Sequence, residues 1–210
     1  FHREISRQFS HEPKFRLLFS YQAVLGLRVG EAVKLHITDI NLKTRELRIG
    51  NEKSDRADYL PIPEKLFAST LEYISSYEQD ITQAHGYVFF SSPYGSYLQT
   101  HTVRKYFEIY AKRAKLEETY GYSSGSIVRS LRRLTTHSLR HYAITNFSKR
   151  NNGNIVLTSR FARHHKVETT MTYVHTNKDE LYQSVMLSQD GGILERVRKM
   201  QNSRELISDI

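Results

Sequence analysis

The segment that most restricts how this chain can fold runs from Val103 to Ala114. Val103, Tyr106, Phe107, Tyr110, Ala111 and Ala114 recur at i, i+3, i+4 and i+7 spacing, with Arg104, Lys105, Lys112 and Arg113 between them. On a helix of 3.6 residues per turn this pattern makes one aromatic side and one cationic side. The aromatic side has to be covered by other elements, so the segment predicts a core helix with a basic outer face. Thr100 or Thr102 can cap its start.

The flanking sequence supplies the cover. Ser10 and Pro13 precede Phe15, Leu18, Phe19 and Gln22 to Leu25, which reads as a capped helix stopped at Gly26, and a short helical pattern follows over Glu31 to Leu35. Ile40 and Leu42, then Leu47 and Ile49, flank a Lys43-Thr44-Arg45 turn and predict a β-hairpin. Tyr59 to Pro63 adds a third short strand, confined to an edge by its two prolines. Glu64 to Tyr77 is helical by its spacing of Leu66, Phe67, Leu71 and Ile74, and Gly86 to Gly95 is rich in turn residues. Glu117 to Ser130, with its glycines and serines, predicts a flexible loop. Helices follow from Thr136 through Phe147, over Ile155 to Arg163 and over Thr169 to His175, with two more helical patterns after Asp179. The total is mostly α with a small three-stranded antiparallel β-sheet.

Composition narrows the class. The chain has 210 residues, enough to bury a core, and no cysteine, which removes disulfide scaffolds, thiolate metal sites and cysteine nucleophiles together. No apolar run approaches the roughly 20 residues of a membrane helix, and no signal-peptide pattern opens the chain, so a soluble cytoplasmic protein is expected, with no membrane contact. The net charge is +9. Residues 101 to 150 concentrate it, with eleven basic side chains against three acidic ones. Such a cluster favours a polyanionic partner, nucleic acid first, over a merely soluble basic surface. Arg104, Lys105, Lys112, Arg132 and Arg133, with Arg163 further on, are the candidate DNA contacts.

The chemistry-bearing residues follow. His137-Ser138-Leu139-Arg140-His141 lies in a predicted helix, and positions three apart share a face, so His137 and Arg140 can converge on one ligand. A guanidinium presents a planar fork matched to phosphate oxygens, and an imidazole beside it can move a proton near neutral pH. A metal site is the competing reading, since His137 and His141 stand four apart, but Ser138 occupies the place where an HExxH motif has its glutamate. Incidental histidines on a surface helix are the plain alternative. Downstream, His164 is followed nine positions later by Tyr173 on a short predicted helix.

With these residues in place, the sequence resembles the catalytic domain of the tyrosine recombinases, the phage-integrase-like family. That family carries an H-x-x-R helix, then a histidine or tryptophan, then a nucleophilic tyrosine. Gly26-Leu27-Arg28-Val29-Gly30-Glu31 matches its G-L-R-x-x-E segment, and Lys53 lies on the hairpin loop where the family keeps a lysine. Arg28, Lys53, His137, Arg140, His164 and Tyr173 therefore match its six positions in order, with Glu31 as the accompanying acid. Two departures stand out. Arg163 occupies a position where the family usually has a small residue, often glycine, and is expected either to contact phosphate or to face solvent. His165 gives a second register, with eight residues to Tyr173, but His164 fits the family spacing. Tyr142, inside the H-x-x-R helix, is a decoy nucleophile expected to pack or to face DNA.

The resemblance implies a tyrosine recombinase catalytic-domain fold and a site-specific recombinase or integrase. Such an enzyme cleaves and rejoins DNA through a 3′-phosphotyrosyl intermediate and a Holliday junction, with no metal, ATP or other cofactor. Tyr173 would attack the phosphorus, Arg28 and Arg140 would clamp its oxygens, and His137 would take the tyrosine proton. Lys53 would protonate the leaving 5′-oxygen, His164 would support the phosphate, and Glu31 would orient an arginine or His137. The implied partners are a double-stranded recombination site, three further protomers in a homotetramer, and accessory DNA-bending or directionality factors. Residues 1–176 are expected to form the catalytic domain, and 177–210 a helical tail that packs on its own domain or links protomers. Because the chain opens at Phe1, a preceding core-binding domain is expected to be missing. The rival functions are a non-catalytic DNA-binding protein of the same fold, a type IB topoisomerase-like enzyme and a telomere resolvase.

Overall fold

In a computed structural model of the chain, the residues described are 13–50, 57–91, 95–116, 119–122, 130–132, 134–164, 168–171 and 173. They belong to a compact unit that ends at Tyr173. The expected tail at 177–210, Lys53, Arg133 and His165 lie outside the described residues, as do the side chains of 130–132, Arg132 included.

The central element is helix α1, Pro13–Leu25, which opens on a proline suited to the first helical position. Phe15, Leu17, Leu18, Phe19, Tyr21, Gln22 and Leu25 are buried, so apolar contact wraps much of its circumference. Short helix α2, Val29–Val33, follows it after the Gly26–Arg28 turn, two residues earlier than the periodicity suggests. β1 (Ile40–Asn41), β2 (Glu46–Ile49) and β3 (Asp58–Pro61) form the expected antiparallel sheet in the order β1-β2-β3. Leu47 pairs with Ile40 on one side and Leu60 on the other, and all three turn into the core while Arg48 and Tyr59 face outward. The proline-bearing strand β3 is an edge strand, where a missing backbone donor disturbs least.

Helix α3 (Glu64–Ser76) and a further short helix α4 (Glu78–Gln83) follow, the second of which the spacing at 64–77 does not reveal. Within the turn-rich stretch, β4 (Phe90–Ser91) pairs with β5 (Ser96–Tyr97). Helix α5, Thr100–Arg113, buries Val103, Phe107, Tyr110 and Ala111 as its pattern requires. Phe15 stacks on Tyr106 at 4.3 Å and Phe19 meets Phe107 edge-on at 5.4 Å, so rings of α1 and α5 close the core between them.

The flexible loop expected over 117–130 is corrected. β6 (Thr119–Tyr122) and β7 (Ser130–Arg132) pair antiparallel, with a register shift between Thr119 and Gly121. Thr119, Tyr120 and Tyr122 are good strand formers, and the glycines and serines around them dilute that signal in the sequence. Helix α6, Thr136–Arg150, runs three residues further than expected and packs on α1. Helices α7 (Ile155–Ala162) and α8 (Glu168–Met171) complete the described fold, α7 lying on α6 and α8 on α7. Phe147 of α6 stacks face to face on Phe161 of α7, with centroids 4.2 Å apart and planes within 2°.

Candidate active site

Three chain segments meet at the end of α1. Gly26 takes a left-handed φ of +62°, which turns the chain out of the helix and presents its carbonyl to α6 and α7. A Cβ there would sit 3.5 Å from Phe161 and 3.6 Å from Ala143, ordinary contact distances, so conformation rather than space calls for glycine.

Two residues on, Arg28 starts α2 in extended conformation. Its backbone N–H donates to Glu31 Oε2 at 2.7 Å and its Nη1 to Glu31 Oε1 at 2.7 Å. The carboxylate at the third helical position thus caps the backbone and holds the side chain of the same residue. Arg28 Nη2 donates to the carbonyl of Arg163 at 3.3 Å. The side chain stays 45% exposed, which leaves it open to a ligand from outside.

Arg140 comes from the first turns of α6, where the backbone N–H of Thr135 donates to the Ser138 hydroxyl at 3.1 Å. Arg140 is buried, and its Nη1 and Nη2 donate to the carbonyls of Gly26 and Ala162. A forked guanidinium thereby joins α1, α6 and α7. Burial, followed by the charges of Arg28 and Arg163, lowers the Arg140 pKa to about 10, which still leaves it cationic at neutral pH.

The position of Arg163 differs from the surface contact expected of it. It ends α7 with φ +53°, a conformation that costs a non-glycine residue about 1–2 kcal/mol. This backbone is the physical reason a glycine suits the position. The side chain points inward: Nη1 donates to Phe161 O at 3.0 Å, and Nη2 to Gly26 O at 3.0 Å and to Glu31 Oε2 at 2.9 Å. Two guanidiniums, those of Arg28 and Arg163, therefore hold one carboxylate from opposite segments. Burial alone would raise the Glu31 pKa, but Arg163 and then Arg28 outweigh it and hold the carboxyl below its ordinary value.

Tyr173 is buried beside this cluster, packed with Ile144, Ala162 and Phe161. Its backbone N–H donates to Thr170 O at 2.9 Å. Two imidazoles flank the ring, His141 at 5.3 Å and His164 at 5.9 Å between centroids. His164 Nδ1 shares a 3.0 Å hydrogen bond with the Thr170 hydroxyl, which fixes the ring beside the tyrosine. His137 meets His141 edge-on at 4.4 Å. Burial first, then the charges of Arg140 and Arg28, lowers the His164 pKa to about 4, so its ring is neutral at pH 7. His137 is lowered as well, by burial and then by His141, Arg140 and Arg28. Burial raises the Tyr173 phenol although Arg140 and Arg28 pull it down, so without an added ligand it stays protonated at neutral pH.

Of the residues expected at the site, Arg28, His137, Arg140, His164, Tyr173 and Glu31 come together. His141 joins them; the sequence offered it only as a potential metal partner of His137, although its place next to Arg140 puts it one turn beyond His137. Among the described residues no group of three or more His, Asp or Glu side chains is arranged to hold a metal ion. Tyr142 is 63% exposed on the outside of α6, away from this packing. Arg104, Lys105 and Lys112 are exposed on α5. A mostly apolar cleft of about 980 Å³, lined by Leu60, Pro61, Leu157 and Phe161 among others, opens next to Arg163 and His164. No described helix is long and apolar enough to cross a membrane.

The arrangement can be set against known proteins. The crystal structure of XerA recombinase superposes with a TM-score of 0.67 at 22% identity, covering 90% of this chain and 61% of that one. XerH site-specific recombinase, in a pre-cleavage complex with its difH substrate, gives 0.70 at 19% identity, over 90% of this chain and 51% of that one. The Tn1549 transposon integrase, in complex with transposon right end DNA, gives 0.67 at 15%, over 89% and 62%. The chain thus spans between half and two thirds of the length of these neighbours. A search of curated protein sequences finds no match. The fold is that of a tyrosine recombinase catalytic domain. The family model for the phage integrase family matches residues 4–180, and the chain belongs to that family.

Proposed function

We propose that this chain is the catalytic part of a site-specific DNA recombinase or integrase that uses Tyr173 as its nucleophile. One observation carries the reading: Tyr173 packs against Ala162, whose carbonyl accepts from Arg140 Nη2, while the next carbonyl, of Arg163, accepts from Arg28 Nη2, so a phenol and two guanidiniums from separate segments meet at the end of α7. A phosphodiester seated against those arginines would have its charge balanced where it accumulates during attack. Membership of the phage integrase family supports the same conclusion, as do neighbours solved with DNA substrates.

In this mechanism Tyr173 Oη attacks the scissile phosphorus, the bond to the 5′-oxygen breaks, and a 3′-phosphotyrosyl link forms. The phenol proton passes to a neutral imidazole. His137 is the base assigned by resemblance, and its lowered pKa keeps it able to accept at neutral pH. His164, also neutral, would hydrogen-bond the phosphate. Lys53 would give its proton to the leaving oxygen. The freed 5′-hydroxyl of a partner strand then reverses the step, which conserves the bond and needs neither ATP nor metal. Two such rounds, through a Holliday junction, would require a tetramer on DNA.

The test is a suicide-substrate assay in EDTA, with the full-length protein and nicked DNA carrying candidate sites from the native locus. The expected result is a denaturation-resistant adduct that maps to Tyr173 by peptide mass and vanishes in Tyr173→Phe while DNA binding persists. An adduct retained by Tyr173→Phe would move the nucleophile elsewhere. Binding without any adduct would favour a non-catalytic DNA-binding protein of this fold.

A further inference from the structure

Arg163 combines three features that a helix-ending residue rarely has together: a left-handed backbone, a side chain only 4% exposed, and an ion pair to another segment. Glycine would take this backbone freely, so a buried arginine in its place points to work done by the side chain. Closing its own helix does not account for the contacts. Only the bond to Phe161 O is local, whereas Gly26 O and Glu31 Oε2 both belong to the segment that carries Arg28. The backbone of Arg163 takes part as well, because its carbonyl accepts from Arg28 Nη2.

The charges give the arrangement its meaning. With Arg28 alone, the Glu31 carboxylate would form a closed, neutral pair and compete with any phosphate for that guanidinium. With Arg163 buried on the other side, the single negative charge is shared, and the exposed arginine keeps charge to offer.

We propose that Arg163 is a positioning residue for Arg28. It holds Glu31 from the interior and receives Arg28 Nη2 on its carbonyl, so that the Arg28 guanidinium is aimed and electrostatically available before DNA arrives. The role rests on the reading of Arg28 as a phosphate ligand in DNA cleavage.

The test compares wild type with Arg163→Gly, Arg163→Met, Arg163→Lys, Glu31→Gln and the Glu31→Gln/Arg163→Met double variant. Adduct formation is followed in single turnover on saturating nicked DNA, with Kd measured alongside, and Arg28 Nε is followed by ¹⁵N relaxation in the DNA-free protein. Arg163→Gly and Arg163→Met should form adduct about ten- to a hundredfold more slowly, the range typical when a supporting partner of a catalytic group is removed, with Kd within about threefold. Arg163→Lys should recover part of the rate, and Arg163→Met should add less than about twofold to Glu31→Gln, because the two act as one unit. Arg28 Nε should gain mobility in Arg163→Met. Full-rate adduct formation by Arg163→Met or Arg163→Gly, or unchanged Arg28 relaxation, overturns the proposal. If the Met variant does not fold, the Gly and Lys variants carry the comparison, Gly being free of the backbone strain. If wild type itself forms no adduct, the cleavage reading fails and Arg28 relaxation alone decides: loosening keeps the positioning role, and no change overturns it.

Discussion

Arg140 donates through Nη1 to the carbonyl of Gly26, the residue that ends α1 two positions before Arg28. The two arginines proposed to clamp a phosphate are thus referenced to one turn. The Arg140 guanidinium is tied to the turn that leads into Arg28, and Glu31 with the Arg163 carbonyl holds the Arg28 side chain beyond it.

Arg140→Lys should therefore do two things. An ammonium cannot span the Gly26 and Ala162 carbonyls as a planar fork does, so the variant should unfold at lower temperature. Adduct formation should fall by at least about a hundredfold, as when one preorganised donor to a transition-state oxygen is removed. Thermal melts and single-turnover cleavage measure the two effects, and cleavage at the wild-type rate would remove Arg140 from the clamp.

Stability should fall on acidification. The folded His164 pKa is about 4 against an ordinary 6.5, so between those values the unfolded chain binds more protons than the folded one. Stability that is complete above that window is lost as the pH drops through it, and His137 and, at the acid end, Glu31 act in the same direction. Melting temperatures from pH 7 to pH 4 should decline, and His164→Gln should flatten part of the decline. An identical slope in the variant would mean that His164 takes up its proton as easily folded as unfolded.

DNA affinity should weaken steeply with salt, log K falling in proportion to the phosphates neutralised. Replacing Arg104, Lys105 and Lys112 together by alanine should reduce that slope by about one for each phosphate that is no longer neutralised. Titrations at several salt concentrations give the slope directly. If it does not change, the exposed side of α5 lies off the DNA.

Lys53 lies outside the described residues and enters by resemblance alone. Lys53→Ala should slow cleavage of ordinary DNA yet cleave a 5′-phosphorothiolate substrate at close to the wild-type rate, because a thiolate leaves without a proton. Persistent slowness on that substrate, with binding intact, would place the general acid at another residue.

Much of this molecule is legible before its coordinates. Helices α1, α3 and α5 follow apolar periodicity, the three-stranded sheet follows its turn and its prolines, and the ordered set from Arg28 to Tyr173 carries the family. What escaped depends on partners distant in sequence. β6 and β7 become strands only by pairing with each other, across a stretch whose glycines and serines read as loop. His141 looked like one half of a metal pair because nothing local says that its ring will meet Tyr173. Arg163 looked like a surface cation, since only the left-handed end of α7 turns it toward Glu31.

The Gly26 carbonyl accepts from both Arg140 and Arg163, so both of its lone pairs are committed to residues more than a hundred positions away. An oxygen shared in this way behaves as an assembly checkpoint. Until the segment that carries Gly26 has docked, Arg140 keeps only the Ala162 carbonyl and Arg163 only that of Phe161, so the cluster is incomplete. For the activity proposed, a chain in which that segment has not yet docked lacks the complete arginine clamp that cleavage would need.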